Sequence, residues 1–187
     1  MSLEYLKKSL KEAPIVKKGD YHYLVHPITD GVPEIKPELL KEVTSEMKRL
    51  IEKCGKIDKI VTMEAMGIPL ASVLAMEMNL PINIIRKREY GLPDEISVEQ
   101  ATGYSKSKLF INGLKKGDNI VIVDDVLSTG GTLRAVLLVL KKMGVIVKGV
   151  FIAVDKGNCC DNIGKEFKIK IISILRVEID NGRVVII

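Results

Sequence analysis

The thirteen residues Ile120-Val121-Ile122-Val123-Asp124-Asp125-Val126-Leu127-Ser128-Thr129-Gly130-Gly131-Thr132 run from an aliphatic stretch into two carboxylates and then into a turn of hydroxyls and glycines. An apolar run of that kind reads as a buried strand, and the residues after Thr132 read as a helix. Ser128 to Thr132 would then wrap backbone N–H groups and hydroxyls around a phosphate, with the positive end of the helix dipole behind them. Glycine lets the backbone close in without a Cβ in the way. Asp124 and Asp125 would repel a bare phosphate. They fit a ligand that also brings hydroxyl donors, or a divalent cation beside it. A phosphate next to a diol is a ribose 5-phosphate. No G-x-x-x-x-G-K-S/T and no G-x-G-x-x-G occurs in the chain, which leaves out the usual nucleotide loop and the dinucleotide fingerprint.

These residues need a scaffold, and the apolar periodicity supplies one. Pro37 to Cys54 carries Leu39, Leu40, Val43, Met47, Leu50, Ile51 and Cys54 on one helical face, with Pro37 at its start and Gly55 at its end. Ile57–Thr62, Pro81–Ile85, Ile120–Val123 and Val145–Val154 read as short buried strands. Ile68–Met78 and Thr132–Lys142 read as helices between them, the second with Lys141 and Lys142 in its last turn. Strands that are apolar throughout, alternating with helices, predict a doubly wound, mostly parallel α/β sheet covered on both faces. Tyr21–Val25 and Val177–Ile186, the latter alternating around Asp180-Asn181-Gly182, suggest a small antiparallel hood lobe built from both termini. The polar segment from Arg86 to Leu109 is long for a compact domain and reads as a flexible lid loop. The expectation is one domain over 1–187, with a core at about 37–157, a hood from about 1–36 and 158–187, and the lid at about 86–109.

With 187 residues, 47% hydrophobic and 28% charged, the chain is an ordinary globule rather than a disordered polymer. No apolar run reaches the ~18–20 residues of a membrane span, and the first residues lack an apolar signal core, so the expected compartment is the cytoplasm, without a membrane partner. Three cysteines, Cys54 and the adjacent Cys159 and Cys160, match neither a disulfide framework nor a zinc spacing. The formal charge of +5 comes from lysines and arginines spread along the chain, and with no Trp and 4% aromatics it suits a small anion better than a nucleic acid. His22 and His26 lie outside these motifs.

The stretch Ile120–Thr132 resembles the ribose-phosphate signature of the type I phosphoribosyltransferases, and the resemblance runs from roughly Pro37 to Gly157. Val61-Thr62-Met63-Glu64-Ala65-Met66-Gly67 is similar to that family's pyrophosphate loop, and Arg86-Lys87-Arg88 through Lys108 lies where the family keeps its closing loop. With Ile68-Pro69 and Tyr90-Gly91-Leu92-Pro93 added, the pattern is most like the archaeal hypoxanthine/guanine members. The resemblance implies transfer of ribose 5-phosphate from phosphoribosyl pyrophosphate to a purine nitrogen with release of pyrophosphate, Mg2+ assisting while held mainly by the substrate. It implies Asp124 and Asp125 on the ribose hydroxyls, Ser128, Thr129, Gly130, Gly131 and Thr132 on the 5-phosphate, and Ala65, Met66 and Gly67 along the pyrophosphate path beside Glu64. Arg86, Lys87 and Arg88 would offer that path positive charge. A homodimer is implied by the family alone.

Lys156, in Val154-Asp155-Lys156-Gly157, stands where the 6-oxopurine members place a lysine on the purine O6. An ammonium has donors only, which suits a carbonyl and not adenine's amino group. Hypoxanthine and guanine are the expected bases, with adenine or xanthine transfer, or a non-catalytic regulator binding phosphoribosyl pyrophosphate, as alternatives. Where a eukaryotic branch carries an acid for the purine N7 proton, this chain has Ser128. Glu99 or Glu95 on the lid, Asp155, or a proton held by water or substrate would take that part. Glu99 is grouped with Asp124, Asp125 and Lys87 as the expected catalytic set.

Overall fold

The computed structural model describes residues 3–19, 21–102, 105–180 and 182–187. In chain order the elements are α1 (Glu4–Glu12), β1 (Ile15–Lys18), β2 (Tyr21–Leu24), α2 (Pro27–Asp30), α3 (Pro37–Ile51), β3 (Lys59–Met63), α4 (Gly67–Met78), β4 (Ile82–Ile85), β5 (Ile96–Thr102), β6 (Ser105–Ile111), β7 (Asn119–Leu127), α5 (Gly131–Met143), β8 (Ile146–Lys156), α6 (Cys159–Phe167), β9 (Ile171–Asp180) and β10 (Arg183–Ile186). A short 3-10 turn, Glu52–Cys54, closes α3 before Gly55 at φ 74°.

Among the described residues the main sheet has the order β10-β9-β8-β7-β3-β4. β4, β3, β7, β8 and β9 run parallel, and β10 turns back antiparallel on β9. Helices cover both faces, as strands apolar on both sides require. One layer packs α1, α3 and α4 on the sheet around Met47, Leu70, Val121, Val123 and Phe151. The other packs α5, α6 and the feet of β5 and β6 around Ile120, Ile122, Leu137, Val150, Ile152 and Ile163. The chain leaves β3 outward to β4, then returns to the other side of β3 as β7. Their carboxyl ends therefore diverge at a topological switch point, where open α/β sheets leave a crevice.

Alternation along β7 slips at the point that matters. Val121 and Val123 belong to one layer and Ile120, Ile122 and Leu127 to the other, yet Val126 packs with the first. β8 slips at the same level, since Ala153 and Val154 both join the first layer. A regular strand would send adjacent residues to opposite faces. Here Asp124 and Asp125 lie inside the slip, and both line one cavity.

Three expectations need correction. The hood was expected as one antiparallel lobe of Tyr21–Val25 with Val177–Ile186. β2 instead pairs with β1, and β10 extends the main sheet, so the termini meet through α1 lying against β10. The core was expected to end near Gly157, but β9 pairs in parallel with β8 from Val150 to Lys156 and carries the sheet onward. Asn181, in the expected turn, lies outside the described residues. The 86–109 segment, expected as a flexible lid loop, is not loop throughout. It holds β5 and most of β6, paired antiparallel, with Val98 and Leu109 buried at the foot. Tyr104, in that segment, lies outside the described residues.

Phe151 is the largest fully buried side chain among the described residues and joins β8 to the α3 layer. Phe151→Ala should lower unfolding stability by about 3–5 kcal/mol, the usual loss for emptying a packed aromatic site. Urea titration with an unchanged slope and an unchanged midpoint would contradict that placement.

Candidate active site

A cavity of about 420 Å³ opens at the switch point, between the loop after β3 and the turn after β7. Met63, Glu64 and Ala65 form one wall, Asp124 through Leu133 the floor and far wall, and Lys87 and Leu109 come in from the side of the lid segment. Gly130 takes φ 74° at the N-cap of α5, a left-handed conformation that glycine adopts without strain. Its position lets the chain turn from Ser128 and Thr129 directly into the helix. The N–H groups of the first turn of α5 lack intrahelical partners and form a socket for an anion.

Burial raises the carboxyl of Asp125 from 3.8 to about 6, against the opposing pull of a hydrogen bond with Asp124 first and of Lys156 last, while Asp30 pushes the same way as burial. Asp124 is pushed well above its ordinary value by desolvation first and by repulsion from Asp125 second. Gly67, the first residue of α4, allows this crowding. A Cβ there would stand 2.1 Å from Thr62 Oγ1 and 2.5 Å from Asp124 Oδ1. The hydroxyl of Thr62 is buried without a hydrogen-bond partner beside it.

Around the β3 loop the charges are already engaged. Glu64 Oε2 accepts from Arg86 Nε at 2.9 Å and from the Lys87 amide at 3.1 Å. Those bonds hold the Glu64 carboxyl below its usual range, the Lys87 amide first among the causes. Glu64 is therefore both a turn-holding acid and a wall of the cavity. Arg88 lies over the ring of Tyr90 at 5.7 Å rather than in the cavity. The side chain of Met66 lies against Gly31.

Lys156, at the end of β8, does not line that cavity. Its ammonium stands 5.1 Å from the centroid of the Tyr23 ring. Tyr23 donates through its hydroxyl to Asp30 at 2.6 Å, and Asp30 also accepts from the Thr29 hydroxyl and the His26 amide. His26 is fully buried, with Nδ1 accepting from the Ile28 amide and Nε2 paired with the Ser9 hydroxyl. Burial lowers its imidazole to about 4. The motifs of the chain gave no hint of Tyr23 and Asp30. The only available signal was the turn-forming run Pro27-Ile28-Thr29-Asp30-Gly31.

The expected proton carriers are scattered. Glu99 sits exposed on β5 opposite Lys108 and is not among the residues lining the cavity. Glu95 accepts from the Tyr90 and Gly91 amides and from the Asn112 side chain, so it clasps a turn. Those bonds, led by Asn112, hold its carboxyl below the usual range. Asp155 is fully buried on the α6 side of β8. The structure thus brings together Asp124, Asp125, Glu64, Ala65, Lys87, Ser128, Thr129, Gly130, Gly131 and Thr132. It places Gly67 and Arg86 directly behind them, and leaves Met66, Arg88, Lys156 and Glu99 outside.

Residues 33–181 match the phosphoribosyl transferase domain, and the chain belongs to that family. It is 49% identical over 183 residues, 97% of this chain and 95% of the relative, to a hypoxanthine/guanine phosphoribosyltransferase of Methanothrix soehngenii. A protein of the same name from Ferroglobus placidus is 49% identical over 186 residues, covering 99% of this chain and 97% of its own. Among solved structures, adenine phosphoribosyltransferase from Thermoanaerobacter pseudethanolicus superposes with a TM-score of 0.71 at 25% identity, covering 94% of this chain and 99% of that one. The adenine phosphoribosyltransferase of Leishmania donovani gives a TM-score of 0.77 at 20% identity, over 94% and 80% of the two chains, which shows the shared fold.

A carboxyl raised by folding favours the folded state while it is protonated, so this contribution is lost as pH rises from about 4 to about 6. Asp125→Asn should therefore match the wild type in stability near pH 4 and exceed it, on the order of 1–3 kcal/mol, above pH 6. Equal stability of the two proteins across that range would show that Asp125 carries no such shift.

Proposed function

We propose that this chain is a purine-salvage enzyme that moves the 5-phosphoribosyl group of phosphoribosyl pyrophosphate onto hypoxanthine or guanine, yielding IMP or GMP and pyrophosphate. The observation that carries the reading is the pairing of Asp124 and Asp125 with the Ser128–Thr132 turn in one cavity at the sheet's switch point. Near-full-length identity to relatives named for this activity supports it. The turn takes the 5-phosphate on backbone N–H groups and the hydroxyls of Ser128, Thr129 and Thr132. The two carboxylates accept from the ribose hydroxyls, and donors from the ligand restore the charged form that burial disfavours. As the bond from the anomeric carbon to pyrophosphate lengthens, the sugar gains oxocarbenium character, and the purine nitrogen bonds to that carbon as pyrophosphate departs. Lys87, whose side chain lines the cavity, and Arg86, now held by Glu64, face the charge on the leaving group.

Side-by-side carboxylates suit a hard divalent cation as well as a diol, so the site fits Mg2+ held mainly by substrate oxygens, with Asp124 and Asp125 beside it. Bound there, magnesium would neutralise part of the pyrophosphate charge. Lys156 donates to the purine O6, reached from its place over Tyr23. Glu99 serves as proton carrier only when the β5–β6 pair folds over the cavity, which makes the segment 86–109 a lid. The enzyme acts in the cytoplasm as a homodimer, as one functional domain.

A panel of hypoxanthine, guanine, xanthine and adenine, each with phosphoribosyl pyrophosphate and Mg2+, tests the whole reading. Turnover should be confined to the first two, and adenine used as well as hypoxanthine would remove Lys156 from its role. Lys156→Ala should raise KM for the base about tenfold or more while leaving KM for the sugar donor nearly unchanged.

A further inference from the structure

Two backbone carbonyls of the Ser128–Thr132 turn are occupied by side chains that do not line the cavity. Arg134 Nη1, on the first turn of α5, donates to the Thr129 carbonyl at 3.0 Å. The thiol of Cys159, the first residue of α6, donates to the Ser128 carbonyl. Arg134 is itself oriented by Glu166 of α6, whose carboxylate accepts from Nε at 2.8 Å. Ile163, also on α6, presses on the turn so closely that a Cβ on Gly130 would meet its Cδ1 at 2.3 Å. α6 is placed in turn by Asp155, which accepts from the Cys160 amide, and by the Arg176–Asp161 pair at 2.8 Å.

A trans peptide is planar, with its C=O and N–H pointing in opposite directions. Fixing the Ser128 oxygen fixes the direction of the Thr129 N–H, and fixing the Thr129 oxygen fixes that of the Gly130 N–H. A donor on the carbonyl also polarises the amide and strengthens its N–H toward an acceptor beyond it. Arg134 does this with a full positive charge.

We propose that Arg134 and Cys159 are positioning residues for the sugar donor: from behind the turn they aim and polarise the Thr129 and Gly130 N–H groups at the 5-phosphate, with α6 as their brace. This rests on the reading above that the turn binds that phosphate. Neither residue touches the ligand, so the effect belongs to binding of the phosphorylated sugar and not to the base.

Steady-state kinetics with hypoxanthine and phosphoribosyl pyrophosphate, on wild type, Arg134→Ala, Cys159→Ala and Cys159→Ser, test it. Arg134→Ala should raise KM for phosphoribosyl pyrophosphate about tenfold, the loss of one charge-assisted hydrogen bond. KM for hypoxanthine and kcat should stay within about twofold. Cys159→Ala should raise the same KM by about threefold, and Cys159→Ser, which keeps a donor, should restore it. Glu166→Gln, at an exposed carboxylate, provides a second variant should Arg134→Ala not fold, and should move the same constant in the same direction. An unmoved donor KM in Arg134→Ala or in Glu166→Gln overturns the proposal. So does a fall in kcat and thermal midpoint with both KM values raised together, which is the mark of fold support alone. A wild type inactive with every purine overturns the functional reading itself, whereas an active wild type with unmoved variants overturns only the positioning role.

Discussion

Two carboxylates forced into contact at the end of β7 set the terms for everything around them. Desolvation works against the ionised form of both, and repulsion from Asp125 adds to it at Asp124. The protein meets that penalty with geometry rather than with counter-ions. Gly67 leaves no Cβ where Asp124 Oδ1 must sit. Lys156 pulls Asp125 back toward ionisation from a distance, while Asp30 works against it. The acids are therefore held in readiness for donors from outside the protein. A socket lined with amide donors and a pair of adjacent carboxyls complement a ligand that carries phosphate and hydroxyls together.

Placing two adjacent residues in one cavity is something a regular strand cannot do. The slip in β7 between Val123 and Val126, matched in β8 at Ala153 and Val154, solves this within the sheet, without a loop. Both strands remain paired through the slip, Asp124 opposite Ile152 and Val126 opposite Val154. The site thus rests on the buried centre of the sheet. The basic cluster after β4 is tied less deeply, through the paired amides and carbonyls of Arg86 and Phe110 and through Glu64.

How far the sequence revealed this follows from what kind of signal each part sends. α3, α4, α5 and the strands β3, β4, β7 and β8 lie within a few residues of their expected positions, because each buries a continuous or periodic apolar face. The phosphate turn was legible because glycines, hydroxyls and acids sit next to one another in the chain. α6 was missed although Cys160, Ile163 and Phe167 carry helical spacing, since two cysteines and a glycine weaken the impression of a helix. α1 offers only Leu6 and Leu10 among charged residues, and it exists by packing on α3 and β10. The pairing of β9 with β8, the node of Tyr23, Asp30 and His26, and the hold of Arg134 on Thr129 depend on contacts between distant segments. Local patterns do not encode such contacts.

Asp155 and Lys156 end the same strand but face opposite layers, one toward Cys160 and Arg176, the other toward Tyr23. A single residue inserted into or deleted from β8 ahead of them would exchange their faces, since side chains along a strand alternate. An ammonium would then be driven against the Arg176 guanidinium beneath α6, and a carboxylate would confront Asp30. Such a chain would lose both layers at once. Descendants of this protein are therefore free to vary the chemistry of the strand's tip by substitution, while its length is held to a fixed count.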